Sequence, residues 1–492
     1  TNDLHGGAFY LLRHKELGVK DARERQSLET RHQFGGNLGG PIKRDRIFFF
    51  GSAEQQYIRN PRQVFFSRLR PTARLPAYAE AYDFYSGLEE PFTQTNDATA
   101  AVGRFDYQFA GGHRFFARYN HSRNEGRNAT SVGDAIDPLT TRAQTNNGTE
   151  GDQTHTANGS LVSVLSATLA NELRFQFSRE NRPRAANSRS ATVSTAVGTF
   201  GSRDFLPTTL TDDRFQISDN LNWQRGTHSL KLGGEYNYVN AFQAFGFNQF
   251  GSFSVSGSDP ATLMTILSRA TGNRFDSTAV TYRRQIGNLL LDFSGQDVAF
   301  FMQDSWRIKP NFTLNYGFRW EGQYLPEPAT NNKEALDQVL KPAFPAKQTD
   351  PRIKPALGRQ FMPRLGFAWD PARNGKTVVR ANFGVFYART PMLLAAAPSN
   401  NYRVPPGDLS IQLPIIVPGN PNNTVYKQLK LIGIDLNNYT LDKLPILTVE
   451  QINSIPAALG AGTFSPYLGM GPIGWDPGYK SPRSIQWGGG VA

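Results

Sequence analysis

Two glycine-containing stretches of this chain invite comparison with phosphate-binding loops. Residues 35–40 read G-G-N-L-G-G, which does not fit the G-x-G-x-x-G spacing, and no helical pattern follows them. Gly375, Lys376 and Thr377 match the end of a Walker motif. Asp370 stands where that motif needs its first glycine, so we expect a tight turn there and no nucleotide site.

Residue types used for metal binding and nucleophilic catalysis are absent or scattered. The chain has no cysteine, which excludes disulfides, thiolate nucleophiles and zinc–thiolate sites. Its seven histidines lie far apart, without an H-x-x-x-H or H-E-x-x-H pair. No local motif marks a serine as the nucleophile of a Ser/His/Asp set. We therefore predict no catalytic, cofactor-binding or metal-binding residues and no cofactor.

The charge and aromatic content favour two-faced strands. Lysine plus arginine (53) exceeds aspartate plus glutamate (41) by 12, but the arginines are scattered along the chain without runs. A nucleic-acid-binding surface would cluster them on one face, so no nucleic-acid partner is predicted. The chain has 35 phenylalanines and 18 tyrosines although its hydrophobic residues amount to only 39%. Aromatic side chains are thus carried by segments that are otherwise polar.

The stretch Val298–Tyr324 shows the repeating element most clearly. Residues 312–321 alternate apolar and polar side chains without exception, which is the period of a two-faced strand. Residues 298–308 alternate in the same way, with Asp304 as the discordant member of the apolar phase. Lys309, Pro310 and Asn311 supply a tight turn between the two strands. The stretch is therefore predicted to be a long β-hairpin.

Six such hairpins are predicted along the chain, with one further strand at each end, giving about fourteen strands. The pairs are 32–42 with 46–57, 101–109 with 114–123, 161–169 with 172–180, 214–224 with 228–239, the hairpin just described, and 364–370 with 377–388. The end strands are 4–13 and 484–491. Links within hairpins have roughly two to six residues and links between them about 20 to 90.

This strict alternation of short and long links is typical of outer-membrane barrels, which have tight periplasmic turns and long external loops. The predicted strands of eight to twelve residues fit the roughly 9–11 needed to cross a bilayer at a tilt. A soluble β-sandwich or propeller also has two-faced strands, so side-chain alternation alone does not separate the readings. No apolar run approaches the ~20 residues of a membrane helix, so a membrane would have to be crossed by a closed sheet.

Aromatic residues near strand ends support the barrel, and two carboxylates oppose it. The aromatic residues, expected to form interfacial girdles, are Trp223, Trp306, Trp320, Tyr324, Trp369 and Tyr387. Asp219 and Asp304 fall in the outward, apolar phase, where a carboxylate would be unfavourable in lipid. A β-bulge, or a position outside the hydrocarbon, would remove the conflict.

The segments between hairpins contain two predicted helices. Ser258 or Asp259 can cap the first, with Pro260 in its first turn, and the second covers 449–459. Residues 389–480 form the longest segment, which we expect to be a long extracellular loop insertion. Exposed loops on a rigid scaffold are the expected place of ligand contact.

Several motifs together resemble TonB-dependent outer-membrane receptors, and most closely the Oar-like subgroup, whose members carry a carboxypeptidase-regulatory-like domain. The motifs are T-N-D-L-H-G-G-A-F-Y-L-L-R-H at the start, R-H-Q-F-G-G-N-L-G-G-P-I-K-R-D-R-I-F-F-F-G-S-A-E, T-H-S-L-K-L-G-G-E-Y, Q-D-S-W-R-I-K-P-N-F-T-L-N-Y-G-F-R-W-E, P-R-L-G-F-A-W-D-P and S-P-R-S-I-Q-W. They span nearly the whole chain in the expected order.

The resemblance implies an all-β fold, an antiparallel transmembrane β-barrel with about 14 of an expected 22 strands, truncated at both ends. Residues 1–492 would be a partial barrel domain of the receptor. No signal peptide is visible at Thr1, and the N-terminal regulatory and plug domains are expected to be absent. The implied function is energised uptake of a scarce solute across the Gram-negative outer membrane. Such uptake makes and breaks no bond, so a protein that is not an enzyme is predicted. The implied partners are outer-membrane lipid, an unknown extracellular solute, and the TonB complex through the missing N-terminal region.

The polar phase of the strands is expected to line the lumen of such a barrel. The candidate lumen residues are Arg104, Arg114, Arg118, Arg174, Glu235, Arg319, Glu321 and Arg380, accompanied by Asp106. We expect them to form a solvated wall that holds a plug by salt bridges, in preference to a dedicated substrate path.

Two other functions remain compatible with the sequence. One is an Oar-like structural or adhesive protein of the outer-membrane surface, which an absent upstream plug would favour. The other is a soluble secreted β-protein that binds carbohydrate, which recovery without detergent would favour.

Overall fold

Long β-strands make up most of the structure, a computed structural model that describes residues 2–129, 137–329, 353–400, 407–460, 474–476 and 478–492. In chain order the strands are β1 (His5–Arg13), β2 (Thr30–Lys43), β3 (Ile47–Val64), β4 (Pro91–Gln108), β5 (Arg114–Arg127), β6 (Leu139–Thr140), β7 (Gly148–Ser166), β8 (Leu169–Ala186), β9 (Thr192–Ser194), β10 (Thr199–Phe200), β11 (Thr208–Arg225), β12 (His228–Ala244), β13 (Ser252–Val255), β14 (Val280–Gly287), β15 (Leu290–Lys309), β16 (Phe312–Tyr324), β17 (Leu357–Trp369), β18 (Val379–Tyr387), β19 (Asp408–Leu413) and β20 (Arg483–Val491). The α-helices are α1 (Ala79–Gly87), α2 (Pro260–Leu267), α3 (Ala396–Ser399), α4 (Val425–Leu431) and α5 (Val449–Ala458).

Fourteen of these strands form one antiparallel sheet in which neighbours in sequence are neighbours in space. Its order is β1-β2-β3-β4-β5-β7-β8-β11-β12-β15-β16-β17-β18-β20, and β6 adds a short parallel pairing to β3. Within the described part of the chain, β1 and β20 each pair on one side only. The predicted strand count and all six hairpins are confirmed.

Short turns and long loops alternate along this sheet, so they collect at opposite edges. The six short links, at residues 43–46, 109–114, 166–169, 224–228, 307–311 and 370–378, define the turn edge. The long connections leave from the other edge, which we call the loop edge. At the 224–228 turn, Gly226 has φ of +58°, a backbone conformation that costs glycine nothing.

The register gives the sheet one apolar and one polar face, because residues paired directly across strands point to the same side. Phe300, for example, pairs with Trp320, which pairs with Phe361. These three side chains belong to the apolar face, and Phe300 and Phe361 are 56% and 61% exposed. No described protein layer covers them, so this face meets its surroundings directly.

Most strands are longer than the sequence predicted. Those of the large sheet run from 9 to 20 residues, against the eight to twelve expected. The excess lies toward the loop edge, where β3, β4, β7, β8 and β11 continue through stretches predicted to be loops. Both faces are polar there, so the two-residue alternation that marks a strand fades although the ladder of hydrogen bonds continues.

One predicted turn was wrong. The third hairpin turns at Ala167 and Thr168, between β7 and β8, and not after Leu169. Ala167 and Thr168 carry none of the glycine, proline or asparagine that usually marks a turn, whereas Asn171 does and misled the prediction. Both predicted helices are confirmed as α2, capped by Asp259, and α5, capped by Thr448.

The long loops fold into a second body at the loop edge, which we call the loop cap. It contains a five-stranded sheet of order β10-β9-β13-β14-β19, together with α1, α2, α4 and α5. Of the 45 buried apolar residues in the part of the chain that the structure describes, 35 form the core of this cap. The hydrophobic core of the described chain therefore lies in the loops, while the large sheet keeps its apolar side chains on the surface. None of the described helices is long and apolar enough to span a bilayer.

Candidate functional site

The candidate lumen residues share the polar face of the large sheet. Arg174 on β8 lies in a row of directly paired residues that continues through Glu235 on β12 to Glu321 on β16. Arg104 pairs with Arg118 in a neighbouring row, and Arg114 and Arg319 belong to another. Arg380 pairs with Ala368, which pairs with Thr313, again on the polar side. The register thus brings all eight onto one surface.

Several of these charges are paired along their own strands. The Arg104 guanidinium donates to Asp106 at 2.6 and 2.7 Å, and Arg174 donates to Glu172 at 2.8 Å. Arg319 donates to Glu321 and lies 3.5 Å from Glu235. Pairs of this exposure contribute at most about 1 kcal/mol each, so they arrange charge more than they stabilise the sheet.

Arg114, Arg118 and Arg380 form no ion pair with any other described residue. Their guanidinium groups are available to carboxylates or phosphates, which the planar fork binds in a bidentate manner. The Arg104 guanidinium lies over the Phe116 ring, 4.4 Å from its centre. This stacking holds the guanidinium on the polar face.

The polar face is concave. A hollow of about 1460 Å³ extends from β11 to β20 at its turn half, and Lys231, Arg319, Arg364 and Arg380 are the cationic residues of its lining. A smaller hollow of about 300 Å³ lies over β3 to β7. Its lining is rich in hydroxyl and amide groups: Ser52, Asn120, Ser122, Thr154 and Thr156. Both hollows suit hydrated or hydrogen-bonding groups.

A buried arginine holds three loops of the cap together. Arg274, fully buried, donates through Nη2 to Glu80 Oε1 at 2.5 Å and through Nε to the Leu267 carbonyl at 2.7 Å. Its Nη1 donates to the Tyr439 carbonyl. Glu80 belongs to the β3–β4 loop, Arg274 to the β12–β15 loop and Tyr439 to the segment after β18, so one side chain joins three parts of the chain.

The electrostatics of this contact favour the ion pair. Burial alone would raise the pKa of the Glu80 carboxyl, but hydrogen bonds from Arg269 and Arg274 lower it overall. Burial lowers the pKa of the Arg274 guanidinium, and Glu80 opposes that shift. Arg269, 41% exposed in its side chain, binds the same carboxylate at 2.9 Å. We call Glu80, Arg269 and Arg274 the cap clasp.

Further buried polar contacts reinforce the cap. Tyr282 on β14 accepts a hydrogen bond from the Leu447 amide at 3.2 Å, and burial raises the pKa of its phenol to about 12. Tyr85 on α1 donates to the Gly198 carbonyl at 3.3 Å. These contacts tie loops far apart in sequence to one another and make the cap a packed body.

Asp304, the discordant residue of the apolar face, is hydrogen-bonded by its neighbours through one carboxylate oxygen, while Oδ1 is buried without a hydrogen-bond partner among the described residues. Its side chain is 1% exposed, and Oδ2 lies 2.6 Å from His228 Nδ1 and 2.9 Å from the Tyr316 hydroxyl, which donates to it. The Trp306 ring stacks on His228 with centroids 5.0 Å apart. Asp219 is exposed on the same face and accepts from the Asn171 amide. Covering side chains, and no bulge, resolve the conflict at Asp304.

The remaining motifs lie in structural roles. Residues 35–40 are part of β2, and the Gly375 amide donates to Asp370 Oδ2 at 2.8 Å within the last tight turn. In the described ranges, no group of three or more histidine, aspartate or glutamate side chains is placed to hold a metal ion.

No pattern in the sequence points clearly to the cap clasp. Arg274 lies in a segment that we treated only as a long connection, and a lone arginine beside Phe275 is a weak signal. The better signal would have been the density of large apolar residues in that loop and after β18, which suits a core more than a solvated loop.

Comparisons with known proteins agree with this architecture. A family model described as an outer membrane beta barrel domain matches residues 1–77 and 76–491. Among curated proteins, the TonB-dependent transporter Oar of Myxococcus xanthus is 29% identical over 191 residues, which cover 37% of this chain and 16% of that protein.

Solved structures with similar folds include outer-membrane transporters and receptors. The outer membrane transporter YddB from Escherichia coli has a TM-score of 0.46 and 11% identity, with 75% of this chain and 40% of that chain covered. The siderophore receptor PirA from Acinetobacter baumannii has a TM-score of 0.43 and 12% identity, with 84% and 48% covered. The chain spans less than half the length of each of these proteins.

Proposed function

Because the chain belongs to the outer membrane β-barrel domain family and lies in the Gram-negative outer membrane, we propose that it forms part of the wall of a TonB-dependent receptor. In this proposal the protein binds a scarce solute outside the cell and imports it. The TonB complex would supply the energy through a region that precedes this chain. No covalent bond is made or broken, so the proposal includes no catalytic step.

The observation that carries the proposal is the arrangement of the three surfaces. An exposed apolar face, with Phe318 48% exposed, suits lipid, and the concave polar face suits a hydrated interior. The loop cap stands at the edge from which a solute would arrive. We propose that residues 389–480 form its largest extracellular part, and that the candidate lumen residues face the interior of the closed barrel.

The free guanidinium groups of Arg114, Arg118 and Arg380 support a lumen that interacts with anionic groups. Such groups could belong to the solute or to the plug that fills receptors of this kind, and we propose the plug. Paired charges on the same wall, such as Arg104 with Asp106, keep the surface hydrated. A plug that must move would then be released from it easily.

The test is solute uptake by the organism that carries the complete gene. Wild-type cells, a deletion strain and a TonB-deficient strain are grown in limiting medium, and solute depletion is followed by mass spectrometry. We expect at least one solute that the wild type removes and neither mutant does. Identical depletion by the wild type and the deletion strain would refute the transport role.

A structural or adhesive surface role is the second candidate, and the packed core of the loop cap favours it. A cap with 35 buried apolar residues is a stable surface module, as an adhesive protein would display. Loss of cell attachment in the deletion strain, with unchanged attachment in the TonB-deficient strain, would support this role. The soluble carbohydrate-binding alternative is wrong, because family membership places the chain in the membrane.

A further inference from the structure

The turn edge carries an unbalanced positive charge. Seven lysines and arginines lie on four of its six turns, and all are exposed: Lys43, Arg44, Arg46, Arg225, Lys309, Arg373 and Lys376. Arg114 and Arg307, near the same edge, belong to the polar face and are not counted. The same turns contain two carboxylates, Asp45 and Asp370, and Asp3 just before β1 adds a third. Cations thus outnumber carboxylates by more than two to one at this edge.

These cations have no counter-charge. None of the seven forms an ion pair with another described residue. Asp45 accepts a hydrogen bond from the side-chain amide of Asn2, and Asp370 accepts one from the backbone amide of Gly375. The two turn carboxylates are therefore engaged by neutral groups nearby. Elsewhere pairing is common, as in Arg74 with Asp83 in the β3–β4 loop at 2.6 Å.

The depth of the turns in the membrane determines which groups these cations contact. Trp223, Trp306 and Trp369 lie on the apolar face within a few residues of the turns, where an interfacial aromatic girdle would place them. Along β16, Trp369 is level with Phe312, and Trp320 lies eight residues farther, about 27 Å at 3.4 Å per residue. At the tilt of about 35–45° that barrel strands have, this length crosses roughly 20 Å of membrane, close to the apolar band of about 25 Å, so the turns lie at the level of lipid headgroups.

Apolar side chains accompany the cations at the turns. Ile42 (63% exposed) precedes Lys43, and Ile308 (39% exposed) stands between Arg307 and Lys309. The Arg225 guanidinium stacks on the Trp223 ring at 5.1 Å. An exposed apolar residue beside a cation is the pattern of side chains that enter a lipid interface while the charge remains at the headgroups.

We propose that the turn edge binds the anionic phospholipid headgroups of the membrane leaflet that it contacts. The seven cations would form a partial ring, with a gap at the turn between β4 and β5 and the turn between β7 and β8. Binding would concentrate acidic lipid around the barrel wall at its tight-turn side. The inference depends on the membrane location of the chain and is independent of transport.

Tryptophan quenching by brominated lipid tests the proposal. The full-length protein that contains this chain is reconstituted in bilayers of phosphatidylcholine and phosphatidylglycerol. In one sample the phosphatidylcholine carries bromine near its glycerol, and in the other the phosphatidylglycerol does. We expect stronger quenching by brominated phosphatidylglycerol, giving a several-fold preference that falls at high salt.

The decisive comparison is between two variants that each lose three cations, one at the turns and the other at the loop edge. The triple variant R44Q/K309Q/K376Q should lose most of the preference, because each charge near an anionic surface is worth roughly a fivefold change in affinity. R68Q/R189Q/K443Q, which removes three exposed cations from the loop edge, should keep it. R44K/K309R/K376R should also keep it, which separates loss of charge from misfolding. Equal quenching by both lipids in the wild type, or equal loss in both neutralised variants, would overturn the proposal.

Discussion

Asp304 shows how a single carboxylate can occupy a lipid-facing strand position. The His228 ring and the Tyr316 hydroxyl supply its hydrogen bonds, and the Trp306 ring covers the histidine. The charge is therefore enclosed by side chains of its own face. Sequence alternation alone could mark this residue as discordant but could not name the partners, because they come from β12 and β16 at a register fixed only in the folded sheet.

At this position we expect Asp304→Ala to lower the free energy of unfolding by about 1–3 kcal/mol, since it leaves the histidine and the tyrosine without their shared acceptor. Urea unfolding in detergent micelles, followed by tryptophan fluorescence, measures the change. Asp219→Ala is the matched control, because Asp219 is exposed on the same face and should cost less than half as much. An equal loss at both positions would contradict the enclosed cluster.

At the scale of elements, the sequence predicted the strands of the large sheet well and the loop cap poorly. The strands of the 298–324 hairpin can be recognised by the two-residue period of their side chains, which is a local property of the sequence. The cap core is built from residues such as Phe66, Phe253 and Leu429, which lie in three different loops. Nothing local links these residues, so the five-stranded cap sheet could not be predicted from pattern.

The cap clasp gives this element a specific point of failure. Arg274→Ala removes the fully buried partner of Glu80 and the donor to two carbonyls, which should destabilise the cap by about 3 kcal/mol or more. We expect proteinase K to cut the loops of this variant on intact cells much faster than in the wild type. Arg269→Ala is the control, because it removes the exposed partner of the same carboxylate and should change the cutting rate little.

Acidification should loosen the cap through the same carboxylate. The pKa of Glu80 is lower in the folded cap than the value near 4.5 of a free glutamate. Its contribution to stability is therefore complete above about pH 4.5 and is lost as pH falls through the lowered pKa. We expect the Glu80→Gln variant to be less stable than the wild type at neutral pH and to approach it as the pH falls below the lowered pKa. Pepsin cleavage rates of both proteins at acidic pH, and near-ultraviolet circular dichroism at higher pH, measure the stability of the cap. A difference in stability between the two proteins that does not change with pH would contradict the prediction.

The whole molecule is organised by the contrast between its two faces. The eight candidate lumen residues lie together because a period of two, repeated over fourteen strands, needs only the strand register to become a surface. For that reason the polar wall was predictable from sequence residue by residue. Its concavity and the free guanidinium groups of Arg114, Arg118 and Arg380 required the folded sheet.

Placing a charge on either face should separate the two environments. Phe318→Arg puts a cation in the middle of the apolar band and should cost about 2–4 kcal/mol, with a lower yield of assembled protein in the outer membrane. Asn315→Arg, on the polar face of the same strand, should assemble like the wild type. The assembled fraction is measured by heat-modifiable migration in gels after membrane extraction. Equal yields of the two variants would mean that lipid does not cover the Phe318 side.

The cap clasp also has a consequence for the order of assembly. Glu80 and Arg274 are 194 residues apart in sequence, so they can meet only after the intervening strands have drawn the loop ends close together. Contacts of such long sequence separation form slowly and late. The clasp should thus close last during biogenesis, and an antibody that recognises only the closed cap would report, on living cells, how many copies have finished folding.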